Sequence, residues 1–392
     1  MTVETKTKQL DAEFVAPTYA RFGLEIIGGK GSLLYGADGK EYIDMGSGIA
    51  VNTFGTCDSE WQCAVIEQLG NFQHTSNLYY TEPCTRLAAL LCERTGMKKV
   101  FFSNSGAEAN ECAIKAARAY AEKKKGRDAY TIITLENSFH GRTLTTLAAT
   151  GQEHFHKDFN PLTPGFAYAR ANDIDSVRAI TDTTECAAIM MELVQGEGGV
   201  NPLDRDFVDA VVALAKEKDM LVILDEVQTG NGRTGALYAY MNYGITPDIV
   251  TTAKGLGGGL PIGATLLGEK VKDIFSPGMH GSTFGGNPIC CAGALSVISR
   301  LDDALMASVR EKSKYIFEAL TGAEGVGQVS GMGLMIGIAP TKRTASEIIK
   351  ACMERGVLPL SAKTKIRLLP PLNIPDELLR KAIEILKEEL AK

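Results

Sequence analysis

The amino-acid sequence predicts an α/β protein: a mainly parallel central sheet in a large domain, with a smaller α+β domain after it. Two observations carry this reading. Between about 99 and 268, short apolar runs alternate with helical patterns. Near-continuous apolar strands bounded by helices indicate a parallel sheet covered on both faces. From about 287 the alternation gives way to long helical patterns and two isolated β-like runs. A chain of 392 residues has room for such a division.

The elements follow in order. Residues 1–57 carry "GSLLYGADGKEYIDMGSGIAV", with a hairpin signal at Asp38-Gly39, and are expected to pack with the C-terminal domain. The large domain is expected over 58–286. Its strands are "KVFFS" (99–103), "TIITL" (131–135), "AAIMMELV" (187–194), "MLVILDEV" (220–227) and "DIVTTAK" (248–254). "GATLLG" (263–268) pairs beside the last of these through a Pro-Ile-Gly turn. "AEANECAIKAARAYAEKKK" reads as a helix whose lysine-rich end is solvated and suits the helix dipole. The small domain, 287–392, has a helical pattern from "NPICCAGALSVISRL" through "SVREKSKYIFEAL". The runs "GMGLMIGIA" and "IRLLPPL" and the terminal helix "PDELLRKAIEILKEELAK" complete it.

Composition narrows the function. With 41 basic and 47 acidic residues there is no basic footprint for nucleic acid or an anionic membrane. Nine scattered cysteines without a CxxC pair suit reduced thiols better than a disulfide framework or a zinc site. The N-terminal stretch "MTVETKTKQLDAEF" is polar, so the expected location is cytoplasmic.

In open α/β sheets, ligands bind outside the carboxyl ends of the strands. After "KVFFS" come Ser105, Gly106 and Ala107 at a helix start, either a phosphate cradle or a plain serine cap. After "TIITL", the stretch "ENSFHGRT" presents Phe139, His140 and Arg142. After "AAIMMELV" comes Glu197, between glycines. After "MLVIL" comes Asp225, a carboxylate costly to bury without a partner. "DIVTTA" delivers Lys254, followed by a glycine-rich stretch. One ligand would use all five. Pyridoxal phosphate has a phosphate, a flat ring, a ring nitrogen that works best protonated and an aldehyde that an amine can take.

Two other patterns point elsewhere. "GNGRTG" (230–235) fits the glycine spacing of a dinucleotide site, with Asp248 downstream, but "DEVQT" separates it from the strand. His154 and His156 could suggest a metal, but no third ligand is evident, so no metal is expected.

The stretches "FFSNSGAEANECAIK", "SFHGRT", "QGEGGV", "LDEVQTGNGRTG", "TTAKGLGGGLPIGA" and "HGSTFGGNP" resemble, in family order, the class III (ornithine-type) aminotransferases of the fold-type I pyridoxal phosphate superfamily. The resemblance implies a transaminase that binds pyridoxal 5'-phosphate and forms a homodimer with shared active sites. Its amino acceptor would be 2-oxoglutarate. "GIAVN" with "TSNLYY" favours N2-acetyl-L-ornithine as donor, with ornithine, 4-aminobutyrate, succinylornithine and succinyl-diaminopimelate as alternatives. A nicotinamide-dependent oxidoreductase is a remote further alternative.

Carried over by position, the resemblance gives Lys254 the cofactor aldehyde and the proton transfer. Asp225 would hold the ring nitrogen, Gln228 the ring hydroxyl and Phe139 the ring face. Gly106 and Ala107 would hold the phosphate with Ser105, and Thr283 would reach the phosphate in the neighbouring subunit. Ser282 and Arg142 would face the substrate. Arg367 would take its near carboxylate, and Glu197 would mask Arg367 while the other amine is bound. Relatives commonly show Gly-His-Asn-His-Pro where this chain has Gly55-Thr56-Cys57-Asp58-Ser59.

Overall fold

The structure is a computed structural model and describes residues 5–392, so of the N-terminal segment 1–57 the first four residues lie outside the described residues. Its centre is a seven-stranded sheet. The strands are β1 (Lys99–Ser103), β2 (Thr131–Leu135), β3 (Phe166–Ala169), β4 (Cys186–Met191), β5 (Leu221–Asp225), β6 (Ile249–Thr252) and β7 (Gly263–Leu267). They lie in the order β1-β7-β6-β5-β4-β2-β3. Only β7 runs against the rest, antiparallel to both β6 and β1. The parallel strands therefore deliver their carboxyl ends to one edge of the sheet.

Burial explains the sequence pattern. Every residue of β4, β5, β6 and β7 is buried. On one face the helix Gly106–Lys125 turns Ala113, Ala116 and Ala117 onto Ile132, Met190, Ile223 and Ile249. Alanines at that spacing let the helix approach the sheet closely. The other face carries Leu87, Leu91, Phe207, Val211, Tyr240 and Ile298 in a larger apolar cluster.

One strand is added and two sequence expectations change. The strand β3, "FAYA", is an edge strand with one exposed and two half-buried positions, so it lacks the apolar run that marks the inner strands. "AAIMMELV" is not one strand: it leaves the sheet at Glu192, and Val194–Gln195 pairs instead with Asn201–Pro202. The helical pattern after 287 is two helices, Pro288–Ser299 and Asp303–Leu320, and Asp302 caps the second by accepting from the Leu305 N–H.

At the N-terminal side, Leu33–Gly36 and Glu41–Asp44 form the hairpin signalled by Asp38-Gly39, with Gly39 at φ +79°. Glu41–Asp44 also pairs in parallel with Val357–Leu358. Val326–Met332, Met335–Pro340, Lys365–Leu368 and Leu360–Ala362 make a further four-stranded sheet. The helix Asp376–Ala391 ends the described chain. Among the described residues no helix is long and apolar enough to cross a membrane.

Candidate active site

The carboxyl ends of β1, β2, β5 and β6, with the segment following β4, enclose a cavity of about 450 Å³. Ser105, Gly106, Ala107, Phe139, His140, Arg142, Glu192, Glu197, Asp225, Gln228 and Lys254 line it. The strand-end residues thus meet around one space.

At the helix start after β1, Ser105 is the N-cap, and its hydroxyl accepts from the Glu108 N–H at 3.2 Å. Glu108 reaches back to the Asn104 N–H at 2.6 Å. Ser105 is therefore a cap and a cavity residue at once. The first N–H groups of a helix have no partner within it, and here Gly106 and Ala107 bring them to the cavity wall. A Cβ on Gly106 would lie 2.7 Å from a Val227 methyl, so only glycine fits this approach.

Asp225 is buried and fully engaged. Its Oδ2 accepts from Asn110 Nδ2 at 2.8 Å and lies 2.8 Å from His140 Nδ1, while Oδ1 accepts from the Val227 N–H at 3.0 Å. This corrects the expectation that "SFHGRT" presents His140 beside Phe139 and Arg142. The imidazole is buried against Asp225, because that carboxylate needs partners inside the fold. An acceptor-only carboxylate requires the hydrogen on Nδ1, and the buried Nε2 has no partner.

Sequence reasoning missed Asn110 and Glu192. Asn110 lies on the buried face one turn into the helix, and a polar residue among its alanines was the available signal. Glu192 was the one charge in "AAIMMELV". Its two oxygens accept from the Phe139 N–H at 2.9 Å and the Gly196 N–H at 3.1 Å, tying the β2 end to the Glu197 loop. Burial, with the nearby Asp225 charge, pushes its carboxyl up to about 7 against the opposing effect of His140.

Lys254 begins a tight turn, Lys254–Leu256, with φ +46°. It is enclosed by protein yet keeps accessible surface because it borders the cavity. Burial lowers its amine below the ordinary lysine value, and Arg367 adds to this, against Glu197, Asp225 and Glu192. A side-chain-bearing residue in the left-handed region persists only where its surroundings hold it, and such strain clusters at functional sites.

Arg367 is buried beneath the cavity. Its Nη1 donates to Glu197 Oε1 at 2.6 Å and to Gln228 Oε1 at 3.2 Å, and its Nε has no partner. Burial works to raise the Glu197 carboxyl, but Arg367 and Lys254 outweigh it and hold it below the ordinary value. Arg142 is exposed at the mouth, 4.2 Å from the Phe155 ring centroid. Among the described residues its guanidinium has no hydrogen-bond or ion-pair partner, while the half-buried Phe139 ring lies beside it at 5.5 Å. Ser282 and Thr283 do not line the cavity of this chain. Ser282 Oγ accepts from Gly285 N–H and Asn104 Nδ2, and Thr283 is exposed.

The other patterns fold to other ends. "GNGRTG" is a buried cross-link rather than a phosphate loop: Asn231 Nδ2 donates to Thr252 Oγ1, and Arg233 Nη1 donates to the Leu334 and Pro370 carbonyls. His156 Nε2 lies against the Leu147 and Thr150 carbonyls, while His154 packs on Phe155. Among the described residues no three His, Cys, Asp or Glu side chains converge as a metal cluster.

Residues 14–390 match the family model for class-III aminotransferases. The chain belongs to the class-III aminotransferases. Relatives of this class-III enzyme include the acetylornithine aminotransferase of Haemophilus ducreyi, 49% identical over 98% of each chain. Among solved structures it is similar to the N-acetylornithine aminotransferase of Stenotrophomonas maltophilia, with 34% identity, a TM-score of 0.83 and 98% of each chain covered. It is also similar to the ornithine aminotransferase of Toxoplasma gondii, with 29% identity and a TM-score of 0.94, over 100% of this chain and 95% of the other. A class-III aminotransferase is a fold-type I transferase whose cofactor is pyridoxal phosphate. The cavity fits that group: it offers helix N–H groups without helix partners, an aromatic face, a carboxylate fixed by three donors and an enclosed amine.

Proposed function

We propose that this class-III aminotransferase moves the terminal amino group of N2-acetyl-L-ornithine to 2-oxoglutarate, giving N-acetyl-glutamate 5-semialdehyde and glutamate, a step of arginine biosynthesis. The observation that carries this is the pair, at 2.6 Å, between Glu197 on the cavity wall and the buried Arg367 behind it. A terminal amine brings no carboxylate beside the reacting carbon, and Arg367 is then neutralised by Glu197. 2-Oxoglutarate does bring one, and Arg367 must be released to bind it. The 49% identity to a relative named acetylornithine aminotransferase supports the donor.

When bound, pyridoxal phosphate supplies an aldehyde that takes up the amino group and a ring that accepts the electron pair left by a departing proton. Every other role falls to the chain. Lys254 Nζ anchors the cofactor at rest and, once free, moves the proton. Its burial keeps a larger fraction of the amine unprotonated than in an exposed lysine. Asp225 holds a proton on the ring nitrogen, and Asn110 and His140 fix the carboxylate for that task. Phe139 covers the ring face, Gln228 meets the ring hydroxyl, and Ser105, Gly106 and Ala107 hold the phosphate. Arg142 meets the substrate.

The reading includes a homodimer in which Thr283 completes the neighbouring subunit's phosphate site. Its support is the exposure of Thr283 and of Leu78, Tyr79 and Tyr80, at 88%, 71% and 100%, an apolar run that water alone does not favour. A cytoplasmic location agrees with nine free cysteines. The packing of 1–57 with the C-terminal domain has the pairing of Ile43 and Asp44 on Val357 and Leu358 in its support, whereas the helix Pro288–Ser299, assigned to 287–392, lies against the helices Ser59–Asn71 and Glu82–Thr95 of the large domain, 58–286.

Two measurements test the proposal. Lys254→Ala should lose the visible absorbance of the loaded protein and nearly all turnover; a coloured, active variant ends the assignment. A panel of amine donors with 2-oxoglutarate should rank N2-acetylornithine first by kcat/KM. Faster turnover of ornithine, 4-aminobutyrate, succinylornithine or succinyl-diaminopimelate would transfer the chain to a sister activity.

A further inference from the structure

The turn Gly55–Ser59 begins a line of contacts that ends on Lys254. Cys57 bends the backbone with φ +56°. Asp58 then caps the helix Ser59–Asn71: its Oδ1 accepts from the Trp61 N–H at 2.9 Å and from Arg300 Nη2 at 2.7 Å. The Arg300 guanidinium lies 3.9 Å over the Phe54 ring, so it is held from two sides. Trp61, the single tryptophan, sits in a slot left by two glycines. A Cβ on Gly258 or on Gly293 would come within 2.9 Å of its Nε1. The indole N–H donates to the Gly257 carbonyl at 3.0 Å, and the Gly257 N–H donates to the Lys254 carbonyl at 3.1 Å.

The Lys254 turn is therefore gripped at two carbonyls. Thr53 Oγ1 holds Gly255 at 2.9 Å, and Trp61 holds Gly257. Both grips oppose relaxation of the left-handed backbone at Lys254. We propose that Trp61 is a positioning residue for Lys254, acting through the Gly257 carbonyl and seated by the Asp58–Arg300 pair. The inference rests on the role given to Lys254 above.

The consequence is measurable at the amine. Lys254 faces Glu197, Asp225 and Glu192 and the Arg367 guanidinium. Burial is the leading influence on it, so a slackened turn that admits water should make the amine hold its proton to higher pH. Because the chain has one tryptophan, growth of a tryptophan auxotroph on 3-benzothienylalanine exchanges this N–H for sulfur and leaves the ring shape nearly unchanged. The full-length protein is stripped of cofactor, and capture of added pyridoxal phosphate is followed by absorbance across pH.

The expected result is a melting temperature lowered by no more than about 2 °C, a pH midpoint for capture raised by about half a unit or more, and capture at neutral pH slowed about threefold or more, as the loss of one net hydrogen bond allows. Trp61→Phe, which keeps a ring and loses the donor, should move the midpoint the same way and stands in if the analogue protein does not fold. Capture with the wild-type midpoint and rate, or a change in melting temperature alone, overturns the role of Trp61. Failure of the wild-type apoprotein to capture, or capture by Lys254→Ala at the wild-type rate, overturns instead the role of Lys254.

Discussion

Replacing Glu197 by Gln should change how the enzyme weighs its two substrates by about tenfold. The shape of the side chain is kept and its charge removed. In the structure, Glu197 contacts Arg367 at 2.6 Å and 3.5 Å, so one strong charge-assisted hydrogen bond and one marginal contact join them. A bond of that kind contributes about 1.5–3 kcal/mol. The Glu197 side chain is 30% exposed, so water recovers part of that value when the carboxylate swings away. Gln228 Oε1 accepts from the same guanidinium at 3.2 Å. A net barrier of about 1.4 kcal/mol remains against unmasking Arg367, and that is about tenfold in an equilibrium constant. The two half-reactions can be followed separately by stopped-flow absorbance. In Glu197→Gln, 2-oxoglutarate should bind about tenfold more tightly, and the half-reaction with acetylornithine should lose about tenfold in kcat/KM. If both half-reactions stay within about twofold of wild type, Glu197 does not gate Arg367 and the reasoning fails.

Asp225→Ala should keep the cofactor but slow single-turnover transamination on the order of a hundredfold, since a fixed charge at the ring nitrogen is lost; an unchanged rate would remove Asp225 from the chemistry. Arg142→Ala should raise KM for carboxylate substrates about tenfold or more with little change in melting temperature, because the guanidinium is exposed and, among the described residues, has no hydrogen-bond or ion-pair partner. A lower melting temperature with normal KM would make Arg142 structural. Glu192 titrates at about 7 in the fold and at 4.5 as a free side chain. Between those values the native state binds the extra proton, so this group's contribution to stability is present at low pH and is lost as pH rises. Glu192→Gln should therefore gain on wild type by on the order of 1–3 kcal/mol from about pH 4.5 to about pH 7. A difference independent of pH would show that Glu192 does not take up that proton.

What local chemistry can express was legible in the chain. An inner strand of a covered sheet must be apolar on both faces, so β2, β5 and β6 stood out; β1, at the edge opposite β3, showed by its Val-Phe-Phe run, and each of these strand ends named a residue on the cavity wall. Edge strand β3 did not stand out, because one side of it is open to water. The serine at 105 was readable as a cap and as a ligand group, and it holds the first place while bordering the second. Glu192 lay in plain sight, but nothing nearby in sequence shows which N–H groups its carboxylate will meet.

The sequence by itself determined the inner strands of the sheet, the family and most of the side chains around the cavity, because apolar period and motif order are properties of neighbouring residues. Only the tertiary structure decided how those side chains are paired. His140 turns inward to Asp225, 85 positions away, and Arg367 crosses 170 positions to meet Glu197. Trp61 reaches 196 positions to the turn of Lys254. Buried charges and donors take whatever partner the packed fold brings within hydrogen-bond reach, and that partner is set by the path of the whole chain.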